Sequence, residues 1–415
     1  MLKFIGGLLS FLVLGSGCYA QLTCTPFHAG GIYEVGEKAG WTITSAGAPG
    51  SYTYAIRKNN RETIQSGTLE FTGANATIQA QIDEPAMLYV EIAGGPAPIH
   101  LGAAIAPAKL KPSLPRPADF DSFWQAKLKA LAEVPASPEI TEANGGKEGV
   151  DFFKVRLASV DSHVQGYLAR PTQAGKFPAL VLLQAAGVKA LDAKQVNDRA
   201  AQGWLVFSVD AHDMPPDVAT GVSTGYASIG NASRETCYFL DMYLRDARAI
   251  DYIESREDWD GKTLVLMGTS MGGQQSLATA ALRPEVTAVL VNEPAGADLN
   301  GDLHGRKAGY PNWPSDNPQV MATASYFDPV NFASLIKAPV LAAIGFIDTT
   351  SPPAGIFTAL NQIPGRKETI CMIDSDHNNR TPEKQGEWTA RSKEVLGSLV
   401  KGEKFWPKQA GGGLP

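Results

Sequence analysis

The sequence predicts an α/β fold, a mostly parallel sheet flanked by helices, preceded by a small antiparallel β-module. Three observations carry this prediction. From residue 150 onward, compact apolar runs alternate with longer helical patterns, as a sheet buried on both faces requires. Residues 22–105 instead show short β-branched and aromatic runs, broken by turn residues at near-regular spacing. The total of 415 residues suits two or three domains, or one large domain with an appendage.

The chain opens with Lys3 ahead of an apolar run over residues 4–14, followed by Gly15-Ser-Gly and Cys18-Tyr-Ala20. This is the charged, apolar and small-residue grammar of a secretory signal peptide, with cleavage after Ala20. Lipidation at Cys18 is the weaker reading, because Gly15 replaces the larger aliphatic residue usual three before an acylated cysteine. The apolar run is too short to span a membrane, and no second stretch reaches membrane length. The expectation is an exported protein, secreted or periplasmic, without a transmembrane segment. Cys24, Cys237 and Cys371 would remain, read as buried thiols with at most one bridge.

Residues 21–105 read as an immunoglobulin-like β-sandwich, with strands near 42–44, 52–56, 68–71, 77–82 and 87–92. A carbohydrate-binding role is conceivable for such a module, and a packing role is the plainer expectation. Pro107, Pro112, Pro115 and Pro117 mark a linker. A helix then opens at Asp119, its Phe120, Phe123, Trp124, Ala126 and Leu128 recurring near the 3.6 period. Strands are expected at 152–157, 163–168, 179–183, 205–209, 263–267, 286–291, 340–344 and 368–373. The longest helix is expected over about 235–253. Together these make residues 106–405 one α/β unit.

Composition excludes several functions. With 36 Lys+Arg against 42 Asp+Glu, a net charge of −6, the chain is no nucleic-acid binder, which needs clustered cations. Four cysteines cannot form a dense disulfide scaffold. The six histidines stand far apart, none in an H-E-x-x-H or C-x-x-C setting, so no metal is predicted. The chemistry proposed below requires no organic cofactor.

Two segments match G-x-S-x-G, around Ser223 and around Ser270. Ser223 follows a Pro-rich stretch that is no strand. Ser270 follows a predicted strand directly and precedes a predicted helix at 274–282, the setting of a nucleophile elbow. Ser270 is therefore the candidate nucleophile of an α/β-hydrolase fold. Its base and acid should follow in the order acid, then histidine, on loops after later strands. Of His304 and His377, only His377 stands where the final strand should end. Asp348 sits just past the strand at 340–344, where catalytic loops gather. Asp374 and Asp376 are rivals on the histidine's own loop. The oxyanion donors should be the backbone N–H groups of Met271 and of Ala186, in the loop Gln184-Ala-Ala-Gly187.

Six segments then occur in a telling order: Asp119-Phe-Asp-Ser-Phe-Trp124; Arg234-Glu235 leading into Tyr243-Leu244; Gly268-Thr-Ser-Met-Gly-Gly273; Tyr326-Phe-Asp-Pro-Val-Asn-Phe332; Gly345-Phe-Ile-Asp348 with Pro352-Pro353; and Asp376-His377. Together they resemble the acetyl xylan esterase and cephalosporin C deacetylase family, carbohydrate esterase family 7, over about residues 110–400. The resemblance implies an α/β-hydrolase that removes acetyl groups from sugar hydroxyls of acetylated oligo- or polysaccharides. It assigns Ser270, Asp348 and His377 the roles argued above, and homo-oligomerisation is a trait of that family. Met271 stands where the family usually has Gln, Gln184-Ala-Ala-Gly187 where it has a His-Gly-Tyr type loop, and Asp210-Ala-His-Asp213 where it has Asp-x-Arg-Gly. These departures and the added β-module point to a divergent branch, whose Ala186 is expected to lack an aromatic wall. The competing readings are a serine peptidase of the oligopeptidase type and a catalytically inactive glycan-binding protein.

Overall fold

The computed structural model describes residues 21–47 and 50–405. The predicted export signal, residues 1–20, lies outside the described residues. The first eight strands are β1 (Leu22–Pro26), β2 (Ile32–Tyr33), β3 (Lys38–Ser45), β4 (Thr53–Lys58), β5 (Glu62–Thr68), β6 (Asn75–Gln81), β7 (Ala86–Ala93) and β8 (Ile99–Ile105). They form a three-stranded sheet, β1-β3-β6, and a five-stranded sheet, β2-β8-β7-β4-β5. Period-2 alternation decides which side chains lie between them. Trp41, Ile43 and Ile78 point in from the smaller sheet, and Ile56, Leu88, Val90 and Ile92 from the larger.

The strand expected at 68–71 is displaced: β5 ends at Thr68, and Leu69 beyond it is buried against the sandwich core. β5 is an edge strand with its residues mostly exposed, so it carries no apolar alternation to read. The flanking strands β1, β2 and β8 were likewise not anticipated. β8 packs through small residues, Gly102, Ala103 and Ala104, which carry little strand propensity.

The second part contains α1 (Phe120–Ala132), β9 (Glu139–Glu142), β10 (Val150–Ala158), β11 (His163–Pro171), β12 (Phe177–Leu183), α2 (Ala193–Ala200), β13 (Leu205–Val209), α3 (Tyr238–Glu254), β14 (Trp259–Thr269), α4 (Met271–Leu282), β15 (Ala288–Asn292), α5 (Pro318–Ala324), α6 (Pro329–Ala333), β16 (Val340–Gly345), α7 (Pro353–Gln362), β17 (Lys367–Met372) and α8 (Gly386–Leu399). The nine-stranded sheet runs β17-β16-β15-β14-β12-β13-β11-β10-β9. β12 to β17 are mutually parallel, and β9 to β11 form the antiparallel end. This is an α/β-hydrolase-like sheet, as the sequence predicts. Both faces are covered: Leu264 and Leu266 face α3, α4 and α7, while Val265 between them faces α2 and α8. That double burial is why the strands read as unbroken apolar runs.

Two helix starts differ from expectation. α3 begins at Tyr238, because Arg234 is taken by a tertiary contact. Its guanidinium lies 4.9 Å from the Phe123 ring centre and 4.4 Å from that of Tyr326, and pairs with Asp119 at 2.6 Å. α4 begins at Met271, directly after Ser270 and three residues before the expected start.

The β-module leans on the α/β part through the outer face of β7 and β8. Met87 and Ala104 join the core built on α7 and β16. Gly102 passes so close to Phe346 that a Cβ there would lie 2.6 Å from the Phe346 Cβ. Arg61 pairs with Asp302 at 2.6 Å, and the Lys307 N–H donates to Asn59 O at 3.1 Å. Cys24, Cys237 and Cys371 are free thiols; burial pushes the latter two up to about 12. Among the described residues, no helix is long and apolar enough to cross a membrane.

Candidate active site

The sharp turn between β14 and α4 positions Ser270. Its backbone sits at φ 58°, ψ −123°, a conformation costing a non-glycine residue about 1–3 kcal/mol. The turn survives because surrounding bonds over-determine it. Ser270 N–H donates to Asn292 O, and Ser270 O accepts from Gln274 and Ala295, each at 3.0 Å. Both glycines of the motif are sterically compelled. A Cβ on Gly268 would lie 2.2 Å from Gly272 backbone, and one on Gly272 would lie 2.1 Å from Leu183 O.

The predicted partners come together at the carboxyl ends of β16 and β17. His377 Nε2 lies 2.8 Å from Ser270 Oγ, and its Nδ1 lies 2.7 Å from Asp348 Oδ2. A proton on Nδ1 satisfies both contacts, with Nε2 accepting from the serine hydroxyl. Asp348 is 2% exposed, and its second oxygen accepts the backbone N–H groups of Thr350 at 2.8 Å and Ser351 at 2.7 Å. This arrangement puts a hydroxyl, an imidazole and a buried carboxylate in hydrogen-bond contact, the groups that nucleophilic catalysis needs. Ser223, by contrast, is an exposed turn residue whose Oγ accepts from Gly225 N. His304 is exposed on a 3₁₀ turn, and Asp376 caps its own loop through Asn378 and Asn379 N–H, each at 2.8 Å.

Met271 and Ala186 lie on adjoining backbone segments. Gln275 Nε2 donates to Gln184 O at 2.8 Å and to Met271 O at 3.2 Å, tying the loop to the helix start. As the first residue of α4, Met271 has an N–H with no acceptor within its own helix. The loop is braced from behind. His212 Nε2 lies 3.3 Å from Gly187 O, its Nδ1 lies 2.9 Å from Tyr238 Oη, and Gly187 N–H donates to Tyr226 Oη at 3.2 Å. Burial pushes His212 down to about 4, so it braces as a neutral imidazole.

One expectation is corrected here: the loop does not lack aromatic neighbours. Tyr226 reaches it from a distant segment, accepting the Gly187 N–H, and Tyr310 donates to Tyr226 Oη at 3.0 Å; both hydroxyls touch Met271 Sδ, at 3.4 and 3.2 Å. A local motif cannot reveal rings donated from residues 226 and 310.

Sequence reasoning missed Glu293 and Arg380. Glu293 follows β15 at φ 45° and is fully buried. Its Oε2 pairs with Arg380 Nε at 2.5 Å, while Oε1 accepts from Ser375 Oγ at 2.9 Å and Gln385 Nε2 at 3.2 Å. Burial raises its pKa, and the Arg380 charge opposes that rise. Arg380 Nη2 lies 3.1 Å from both ring nitrogens of His377. The available signal was an acid straight after a buried strand, the same relation Asp348 bears to β16. Glu293, Asp348 and His377 present ligating atoms within 4.8 Å of one another. Those atoms are already committed to Ser270, Arg380, Ser375, Gln385, backbone N–H groups and each other, so the cluster suits an ionic hydrogen-bond network better than a metal cage.

Comparison with known proteins identifies the family of the chain. The family model described as acetyl xylan esterase (AXE1) matches residues 108–301 and 309–391. The acetyl esterase Axe7A of Xylanibacter ruminicola is 30% identical over 382 residues, covering 86% of this chain and 87% of that protein. That match is longer than the α/β part alone can supply. Among solved structures, acetyl xylan esterase from Paenibacillus sp. R4 superposes with a TM-score of 0.61 at 25% identity, over 69% of this chain and 98% of that one. Acetyl xylan esterase 1 from Thermoanaerobacterium sp. gives a TM-score of 0.60 at 23% identity, over 71% and 97%. The unmatched residues 302–308 include Asp302 and Lys307, which grip the β4–β5 turn of the β-module.

Proposed function

Because the chain belongs to the acetyl xylan esterase family, and is with it a carboxylic ester hydrolase, we propose that it deacetylates carbohydrate esters through Ser270, His377 and Asp348. The observation that carries this reading is the continuous hydrogen-bond chain from Ser270 Oγ through His377 to Asp348, at 2.8 and 2.7 Å. Ser270 Oγ attacks the acetyl carbonyl carbon as its proton passes to His377 Nε2. Asp348 keeps Nδ1 protonated and stabilises the imidazolium that forms. The N–H groups of Met271 and Ala186 receive the developing oxyanion, each worth about 3 kcal/mol of barrier. Collapse breaks the ester C–O bond, and the sugar oxygen leaves with the proton from Nε2. Water, deprotonated by the same nitrogen, then attacks the acetyl-enzyme and releases acetate and Ser270.

The substrate class proposed is xylan or xylo-oligosaccharide acetate, in line with the names of the relatives. The chain would act outside the cytoplasm after loss of residues 1–20. Residues 21–105 would then form the β-module and residues 106–405 the hydrolase.

Acetate release from acetylated xylo-oligosaccharides tests this reading. Ser270→Ala should lower kcat at least ~10³-fold with the circular dichroism spectrum unchanged. Ser223→Ala, at the exposed second motif, should be nearly silent. Near-wild-type turnover in the first variant would overturn the assignment.

A further inference from the structure

We propose that Arg380 and Glu293 form a charge-compensated pair that positions the His377 imidazole and sets the pH range over which it accepts the Ser270 proton. The inference rests on the reading of Ser270, His377 and Asp348 given above.

The geometry specifies how Arg380 acts. The in-plane lone-pair and N–H directions of His377 are taken by Ser270 and Asp348. A guanidinium nitrogen 3.1 Å from both ring nitrogens therefore lies over the ring face, where it cannot donate along either in-plane direction. Two in-plane bonds leave the ring free to tilt about the line joining its nitrogens. A planar guanidinium against one face removes that tilt.

A cation on the ring also opposes the positive charge that the imidazole takes up in the reaction. Glu293 offsets that penalty by pairing with Arg380 Nε at 2.5 Å, its carboxylate itself within 4.8 Å of a His377 ring nitrogen. The remaining charged groups facing this site are Asp348 from the β16 loop and Asp376 on the histidine's own loop. Asp376 is turned into its backbone cap and lies 3.7 Å from Lys384. Across the module boundary, Tyr89 of β7 is within electrostatic reach of Asp376.

The fold makes three separate concessions to Glu293. Its backbone is held at φ 45°, a strained region for a non-glycine residue. Its carboxylate is fully buried and needs Arg380, Ser375 and Gln385 as donors; Gln385 is in turn fixed by Asn292 Nδ2 at 2.9 Å. Opposite it, position 345 must be bare, since a Cβ on Gly345 would lie 2.7 Å from Glu293 Oε1 and 2.6 Å from Ser375 O. A buried ion pair is a poor source of net stability. What this pair supplies is its location: a rigid, nearly neutral support on the face of the base.

The test is the pH dependence of kcat/KM for an acetyl ester, from about pH 5 to about pH 9, in wild type, Glu293→Gln, Arg380→Gln and the double variant. Glu293→Gln leaves the cation uncompensated, so the acidic limb should move to lower pH. Arg380→Gln leaves the anion uncompensated, so the limb should move to higher pH. The double variant should return the limb towards wild type at a kcat lowered roughly 10-fold, because the ring is loosened. KM should stay within about twofold throughout. Arg380→Lys, which keeps the charge, should restore the limb relative to Arg380→Gln, and serves if a Gln variant fails to fold. A limb that stays in place while only thermal stability falls would make the pair merely structural and overturn the proposal. A raised KM with an unmoved limb would make Arg380 a substrate contact and overturn it equally. Fluorophosphonate labelling of Ser270 separates the two levels: loss of labelling in wild type would sink the nucleophile reading, whereas failure of the pair proposal leaves labelling intact.

Discussion

The two parts of this chain bury different things. In the β-module the buried set is apolar, and among the described residues before 106 only Ser45 is a buried polar residue. The α/β part buries Asp210, His212, Arg245, Asp246, Gln274, Glu293, Asp328 and Asp348 beside its apolar core. Apolar burial repays conformational entropy at roughly 25 cal/mol per Å², whereas each buried polar group must be matched or it costs stability. The interior of the β-module is therefore held by apolar packing. The α/β part accepts polar burial both inside α3, at Arg245 and Asp246, and just past the carboxyl ends of β15 and β16, at Glu293 and Asp348.

Substitutions in each part should have different consequences. The largest effect should come from Asp348→Asn, which removes the carboxylate that holds the His377 tautomer. A fall in kcat of about 10⁴-fold with unchanged thermal unfolding is expected. A fall below tenfold would mean that Glu293 or another group serves as the acid. Next comes Ile78→Ala in the β-module core, fully buried between the two sheets, with an expected loss of about 2–5 kcal/mol by denaturant titration. Activity per folded molecule should be retained. A tenfold drop in kcat/KM at full folding would show instead that the β-module tunes the site through Gly102 and Phe346.

The smallest effect concerns Asp246 on α3, a fully buried carboxyl that burial pushes up to about 8. A raised folded-state value means that the folded chain holds a proton the unfolded chain has released between about 4 and about 8. Stability therefore falls as pH rises through that window and levels off above it. Asp246→Asn, which cannot ionise, should gain thermal stability relative to wild type from pH ~5 to pH ~8. A difference independent of pH would indicate that Asp246 is ionised in the fold.

The elements with strong local grammar were legible. The β14–Ser270–α4 turn, the strands buried on both faces and the two loops carrying Asp348 and His377 follow from periodicity, glycine placement and chain order. The edge strand β5 was not, because its exposed residues carry no alternation. Nor was Arg234, whose stacking between Phe123 and Tyr326 delays the start of α3 until Tyr238. In the second case a tertiary partner decided a local conformation that propensity left undecided.

The chain order of the proposed site residues was readable from sequence, because a strand-turn-helix elbow is a local steric object and parallel strands end in loops at one edge. The sequence determined the family too, since six ordered segments match where one would not. The folded structure alone lets Glu293 reach Arg380 across the β15 and β17 loops, and sets Tyr226 against the Ala186 loop at Gly187 with Tyr310 behind it on Tyr226 and Met271. It alone also brings Gly102 of the β-module against Phe346, two residues before Asp348. Such contacts join residues far apart in the chain, so their energies depend on which surfaces the folded sheet brings together and leave no periodic trace in the sequence.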